Sequence, residues 1–552
     1  MLTKNLATLA LCLATVAAAH AADGKATPDE LVLEGLPAID FSDAPGTAPD
    51  RAPAQNSDTG TYDTPAALQQ AFHDAQNLSN QGEHYAAAAQ FFNIYTANSQ
   101  YTDTALGHVT EELIRAGFPN AASYFYIQTL KSGNRGAIRR VLAYLPQMLE
   151  SAGGDLLRAY IVRGTTEADY DGSTKNHFYY FLGKDELLKG DPAKALAALS
   201  HVSSGSGILA QAAYLRATAY AMTGQTQNAI SSFESCQNLA SHGHSGTKAL
   251  RQEYNDLEAR CTAGLARAHY QGGHFDKAEE IYDDIPKSSF VWTDILFEQA
   301  WNAYAKGDYN RTLGKLVTYR SPSLNFVFNP EVDVLRAQSF LAMCYYDDVD
   351  KTVHEFENRY AGVGGQMKNF LLSHDRDMGA FYNIAKEALR RKLHTTDMLS
   401  RAINRFVRGP YFAAQVAQEH AVYGEAARLS RLGSSKGHPR FAAFLQKVVG
   451  WRSKTVRLLG GLFVRNSLYD LYQDLVTDLD KMSFIKLEML NRSKLRLEKK
   501  PVMSADEEGV LKKGAGDISR KDYQYFWTFN GEFWADELGD YVFALESQCG
   551  GS

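Results

Sequence analysis

Apolar residues recur every three to four positions along most of this 552-residue chain, the spacing of one face of a helix. The pattern is cut at short intervals by single glycines, and between residues 64 and 360 the cuts are periodic. Gly190 and Gly224 lie 34 positions apart, as do Gly273 and Gly307; Ala195 to Ala229 and Ala278 to Thr312 repeat the interval. Each copy reads as a helix, a glycine turn and a second helix. Gly183, Ala217, Ala266 and Ala300 supply a small residue in the first helix, and Ala195, Ala229, Ala278 and Thr312 one in the second. Small residues belong there because two backbones approach closely, while aromatics such as Phe178, Tyr220, Phe233 and Tyr309 fill the gaps between hairpins. Gly224 to Gly273 is 49 residues, one period plus a 15-residue insertion in the region Asn238–Asn255. Weaker copies flank the four clear ones: Gly82, Tyr85, Ala88 and Phe92 fit one, Leu106-Gly107 opens another, and Ala337–Tyr360 reads as a pair with a shortened turn.

A period of 34 is that of the tetratricopeptide (TPR) repeat. About seven hairpins are therefore expected from 64 to 360, stacked as one all-α TPR superhelical solenoid followed by a helical C-terminal domain. The inner groove of such an array takes its wall from set positions around the small residue of each first helix. Counting from Gly183, Ala217, Ala266 and Ala300, these are Tyr180, Tyr214, Arg260, Arg267, Tyr270, Phe297, Trp301 and Tyr304. Aromatic and Arg side chains dominate binding hot spots, so they are the candidate partner-binding residues; packing between repeats is the competing role. From Ala361 the period is lost, yet helical patterning continues in a helical domain drawn as 361–522, which ends in a polar Gly/Lys/Asp loop after Pro501. Leu468–Lys500 reads as one amphipathic helix with Leu471, Leu475, Leu479, Met482, Ile485 and Met489 on one face, stopped by Pro501. Residues 523–552 form an aromatic C-terminal motif.

The chain opens like a secretory signal: Lys4, an apolar stretch Leu6–Val16, and Ala19-His20-Ala21, with cleavage expected after Ala21. Cys12 lies inside the apolar core, after Leu11, and reads as part of the discarded peptide. No other stretch approaches the length needed to cross a membrane, so an exported, soluble protein is expected. Residues 22–63 are an acidic, Pro- and Gly-rich linker, with nine acids against Lys25 and Arg51, a net of −7. Its apolar island Leu31–Phe41 could be a docking motif or an N-terminal strap.

Residues 386–457 carry fifteen Lys and Arg against Glu387, Asp397, Glu419 and Glu425, a net of +11. In an exported protein that charge suits an anionic membrane surface or an acidic protein rather than nucleic acid, with Arg390, Arg391 and Lys392 as its densest patch; helices with solvated basic faces are the plainer reading. Cys236, Cys261, Cys344 and Cys549 remain for an oxidising compartment and have no zinc spacing. Cys236 lies late in one hairpin and Cys261 early in the next, so a Cys236–Cys261 disulfide is expected to tie the inserted loop at its base. Cys344 and Cys549 could then pair and dock the terminal motif, although nothing local supports that geometry.

No phosphate loop, G-x-S-x-G elbow, H-E-x-x-H helix or dinucleotide fingerprint is present. His242 and His244 could hold a metal loosely but fit a flexible insertion better. Glu532, Asp536, Glu537 and Asp540 among Phe529, Phe533, Trp534 and Tyr541 could build a sugar site; a helix seating its aromatic face with acids outward gives the same pattern. Glu546-Ser547 matches the acid pair of lytic transglycosylases, but it lies six residues from the chain end with no room for a catalytic domain. These readings give no catalytic residue, no cofactor and no metal.

Phe484–Glu498 and Trp527–Tyr541, the latter followed by Cys549, carry a resemblance. With the repeat array, they make the chain similar to the TPR-containing proteins of the adventurous-gliding (focal-adhesion) machinery of myxobacteria and relatives. The resemblance implies a non-catalytic periplasmic scaffold in a multi-protein envelope complex, with association to the outer membrane through partners. Some members look like lipoproteins, and this signal does not. Alternative expectations are a peptidoglycan-binding or remodelling factor and a helper of outer-membrane assembly.

Overall fold

The computed structural model describes residues 62, 64–97, 100–172, 174–242, 248–324, 326–390, 397–435, 438–499 and 529–549. The signal, the acidic linker with its apolar island, His244, Arg391, Lys392 and residues 500–528 lie outside them. Among the described residues all regular structure is helical. The helices are α1 (Pro65–Asn80), α2 (His84–Thr96), α3 (Thr102–Arg115), α4 (Pro119–Ser132), α5 (Arg135–Leu142), α6 (Leu145–Ala152) and α7 (Gly154–Gly164). Next come α8 (Lys175–Leu188), α9 (Pro192–Leu199), α10 (Leu209–Met222), α11 (Thr226–Ser241), α12 (Lys248–Gln271), α13 (Phe275–Asp283), α14 (Trp292–Ala305) and α15 (Tyr309–Val317). The last are α16 (Glu331–Ala342), α17 (Tyr346–Ser373), α18 (Met378–Arg390), α19 (Met398–Val407), α20 (Pro410–Ser435) and α21 (Pro439–Lys499).

The periodic glycines are the turns of helix pairs. Gly82, Gly190, Gly224, Gly273 and Gly307 all have φ between +71° and +80°. A Cβ at any of them would touch nothing within 4 Å, so backbone conformation rather than space selects glycine. Each turn closes by the same two bonds, as when Gly307 N donates to Tyr304 O and Asp308 N to Ala303 O. The small residues stand at the helix contacts: Ala195, Ala217, Ala229, Ala266, Ala278 and Ala300 have no exposed surface. A Cβ on Gly183 would fall 2.4 Å from Leu199 Cγ.

The turn after α16 is not shortened, contrary to the sequence-based expectation. Cys344 stands where the other hairpins have glycine, at φ +62°, with Cys344 N bonded to Leu341 O and Tyr345 N to Phe340 O. The insertion also differs from the expected loop. It lengthens the flanking helices to 16 residues in α11 and 24 in α12.

The chain divides into two compact units, Met1–Leu239 with Ala413–Gly460, and Ala240–Phe412 with Gly461–Ser552. This division cuts through the periodic array and through the region beyond 360. In the first unit, residues of α20 and α21 cover the second helices of the early pairs. Phe441 and Phe444 lie 5.1 and 4.7 Å from the Phe92 ring, and Trp451 packs edge-on to Tyr124 at 5.7 Å. Val422, Leu429, Leu445, Val448 and Val456 complete the same core.

In the second unit, α21 runs antiparallel to α17. Arg465 pairs with Asp375, Leu475 meets Gly364, and Lys486 pairs with Glu357. Where α21 enters this unit it also meets the first residue of α18, so closely that a Cβ on Gly461 would stand 1.9 Å from Met378 O. The expected inner face is buried at Leu471, Leu475, Met482, Ile485 and Met489. The helix itself is 61 residues long and begins at Pro439, well before the expected Leu468.

Candidate partner-binding surfaces

Six of the eight expected groove residues belong to the second unit, and Tyr180 and Tyr214 to the first. Tyr180 is half-buried beside Phe181, and Tyr214 beside Phe233. In the second unit Phe297, Trp301 and Tyr304 form one row along α14, with centroids 6.4 and 5.5 Å apart, continued by Tyr309 at 5.3 Å. They are half-buried because their inner edges rest on Ala300, Leu316, Val332 and Leu335. Tyr270 is buried against Phe275. Arg267 forks onto Glu298 at 2.8 and 2.6 Å, and Tyr282 donates to the same carboxylate. Arg260 lies 5.1 Å over the Phe290 ring. The groove positions are thus engaged within the chain, and Phe297, Trp301 and Tyr304 are the expected set that gathers.

The basic region 386–457 combines one buried cation with a larger set at the surface, some of it tied down by hydrogen bonds and ion pairs. Arg452 is fully buried; its Nη2 donates to Ala152 O and to Gln418 Oε1. Burial lowers its pKa to about 10. Arg457 pairs with buried Glu419 at 2.7 Å, Arg428 donates to Gly117 O, and Arg405 to Phe328 O. Of the expected patch, Arg390 is exposed and stands 3.9 Å from Glu387. Arg452 is the one buried cation among the described residues of this region; the others are half-buried or exposed, so most of this charge stays at the surface.

Of the terminal motif, the described residues 529–549 are not helical. They run as an extended strap with one turn at 535–539. Gly531 and Gly539, at φ +96° and +92°, break any helical run. Asn310 on α15 clamps the strap: its Nδ2 donates to Leu545 O, its Oδ1 accepts from Leu545 N, and its backbone O accepts from Phe543 N. Gly314 leaves room for it, since a Cβ there would lie 1.8 Å from Tyr541 O. Gly539 N donates to Thr318 Oγ1, Tyr345 OH to Glu546 O, and Lys287 pairs with Asp540. The strap ends in a Cys344–Cys549 disulfide, Cα–Cα 5.1 Å. Cys236 and Cys261 are also disulfide-bonded and fully buried.

Sequence reading missed a second apolar face on α21. Phe484, Leu487 and Leu490 are 71, 62 and 54% exposed, opposite buried Met482, Ile485 and Met489. The signal was available, since 484, 487 and 490 fall outside the periodic face. On the buried face itself, Asp478 lies beside Lys481, which bridges to Glu331. Burial pushes the Asp478 carboxyl up to about 7, with Glu331 and Asp474 adding repulsion and Lys481 opposing.

No protein-family model matches this chain, and no curated protein matches its sequence. Among the described residues no three His, Cys, Asp or Glu side chains gather as metal ligands, and no helix is long and apolar enough to cross a membrane. Glu546 and Ser547 sit in the strap, where the Glu546 backbone is bonded to Tyr345. What the surfaces offer chemically is apolar contact: an aromatic row on α14, and the exposed apolar row Phe484, Leu487 and Leu490 on α21.

Proposed function

We propose that the protein is a non-catalytic TPR-type scaffold of a periplasmic envelope complex, in a motility machine of the adventurous-gliding kind. The observation that carries this reading is the exposed row Phe484, Leu487 and Leu490, inside the stretch Phe484–Glu498 on which the resemblance rests. Large apolar side chains held outward on a helix whose other face is packed mark an interaction surface. Arg492, Lys494, Arg496, Lys499 and Lys500 follow it in the sequence. The partner is accordingly an envelope protein presenting an apolar helix or strand with an acidic rim. The 34-residue repeat, its glycine turns and its buried alanines support the TPR assignment.

The test is purification of the tagged protein from its own envelope, with and without Phe484→Ser and Leu487→Ser, followed by mass spectrometry. Loss of one discrete partner with unchanged circular dichroism is the expected result. A partner set identical in both samples defeats the reading.

One observation favours a second reading, a peptidoglycan-binding factor. Trp534 is 62% exposed beside Glu532, Asp536 and Glu537, a ring and acids of the kind that hold sugars. Sedimentation with purified peptidoglycan separates the two: the scaffold reading expects none, and the second expects co-sedimentation that Trp534→Ala abolishes.

A further inference from the structure

The exposed side of α21 between 480 and 494 is complementary to itself when reversed. Leu487 stands at its centre, Phe484 and Leu490 three residues to either side, Ser483 and Asn491 four, and Asp480 and Lys494 seven. At 3.6 residues per turn all of them lie within about 60° of Leu487 on the helix circumference, and all are exposed. The opposite side is packed at Asp478, Met482, Ile485 and Met489, so the fold holds this side outward. One antiparallel register of two such helices sets every apolar residue of the row on another: Leu487 on Leu487, and Phe484 on Leu490. The same register places Ser483 opposite Asn491 and Asp480 opposite Lys494. An apolar centre is thus followed by a polar pair and closed at each end by opposite charges. A parallel pairing in register instead opposes Asp480 to Asp480 and Lys494 to Lys494, and like charges across an interface select against it.

We propose that this face binds a second copy of the chain, as an antiparallel helix pair with its two-fold axis at Leu487. The occupant rests on the scaffold reading, in which the Phe484 row is the contact surface. A second copy brings the apolar helix, and its Asp480 the acidic rim. The face is about 21 Å long and buries less than about 1,000 Å² in total, the weak and transient class of contact. A dissociation constant of about 10–100 μM is therefore expected. In an envelope that holds both tagged and untagged chains, the untagged chain is the discrete partner lost with Phe484→Ser and Leu487→Ser.

Sedimentation equilibrium of the full chain at concentrations spanning that range tests this. Self-association is expected, and Leu487→Ser leaves a folded monomer. Asp480→Lys and Lys494→Asp each weaken it about tenfold, while an equimolar mixture of the two variants restores it. Under mild oxidation Leu487→Cys cross-links to itself, whereas Phe484→Cys and Leu490→Cys cross-link to each other more readily than to themselves. Three results overturn the proposal: a chain that stays monomeric throughout, self-association unchanged by Leu487→Ser, or a Phe484→Cys protein that cross-links best to itself. If the chain is monomeric and the envelope purification still loses a partner with Phe484→Ser and Leu487→Ser, a foreign protein occupies the row. The dimer then falls and the scaffold reading stands.

Discussion

The second helices of the early pairs, α2 and α4, are covered by helices, whereas the second helix α15 and the turns beside it are covered by an extended strap. The first cover works by apolar area, with Phe441, Phe444 and Trp451 set into Phe92 and Tyr124. Its few polar contacts are buried and specific: Glu425 accepts from Asn120 N, Asn120 Nδ2 and Ala121 N at the start of α4. The strap instead works by main-chain hydrogen bonds to Asn310 and Thr318 and by one covalent link. One kind of helix surface can therefore be closed by two kinds of bond, and the two units should answer to different perturbations.

The sharpest separation is redox. Cys549→Ser opens a loop with a sequence separation of 205 residues, for which constraint of the unfolded chain predicts a loss of about 3–5 kcal/mol. Hydrogen exchange read unit by unit should show faster opening of α14–α16 and unchanged protection of α2 and α4. Equal loosening of both units would end the contrast.

Acid and base should also divide them. His108 in the first unit stacks on Phe91 at 4.5 Å, and its pKa falls to about 4. Burial is the main cause; Arg140 and Arg115 reinforce it, and Glu111 opposes. A depressed histidine gives stability that is present above its unfolded pKa near 6.5 and is lost as pH falls through 4. Asp478 in the second unit is raised to about 7. Its contribution is complete below its unfolded value near 4 and disappears as pH rises through 7. Each shift corresponds to about 2–4 kcal/mol across its window. Unit-resolved exchange between pH 4 and pH 8 should move in opposite directions, and His108→Gln and Asp478→Asn should flatten one profile each. Parallel profiles would contradict the assignment.

The buried polar contacts of the helical cover allow a smaller test in both directions. Glu425→Ala strips a carboxylate from the first amides of α4 and should cost about 2–3 kcal/mol. Arg452→Met removes a buried guanidinium whose Nε and Nη1 have no partner, and should stabilise the first unit by about 1–2 kcal/mol. Thermal unfolding of both variants checks the pair. A destabilised Arg452→Met protein would mean that the cation is needed where it lies.

Much of the helical plan was legible because it depends on local rules. Turn glycines need positive φ and contact alanines need small volume, and both leave single-letter traces at a fixed spacing. Leu475, Met482 and Ile485 were likewise readable from period alone. The rest depends on contacts between distant residues. Nothing near Asn310 or Gly314 says that residues 539–545 will lie across them, and the aromatic strap shares its composition with a helix. Most of the described basic residues of 386–457 do lie at the surface, and charge alone does not reveal that Arg452 is the one set between apolar neighbours.

Cys344 gives the last and smallest test, because here a local rule is broken for a distant contact. It holds φ +62° in a turn where six other helix pairs, α3–α4 with Gly117 among them, use glycine, and a Cβ in that region costs about 1 kcal/mol. The side chain is retained because only cysteine can reach Cys549. In the Cys549→Ser background the reason for retaining it is gone, so adding Cys344→Gly should recover about 1 kcal/mol, while Cys344→Ala should recover nothing. In the parent protein Cys344→Gly should instead destabilise, since the lost link outweighs the relieved turn. Denaturant midpoints of the four variants decide the matter. If glycine and alanine behave alike in the Cys549→Ser background, the turn is unstrained, and the strap holds the second unit at no cost to its helix pair.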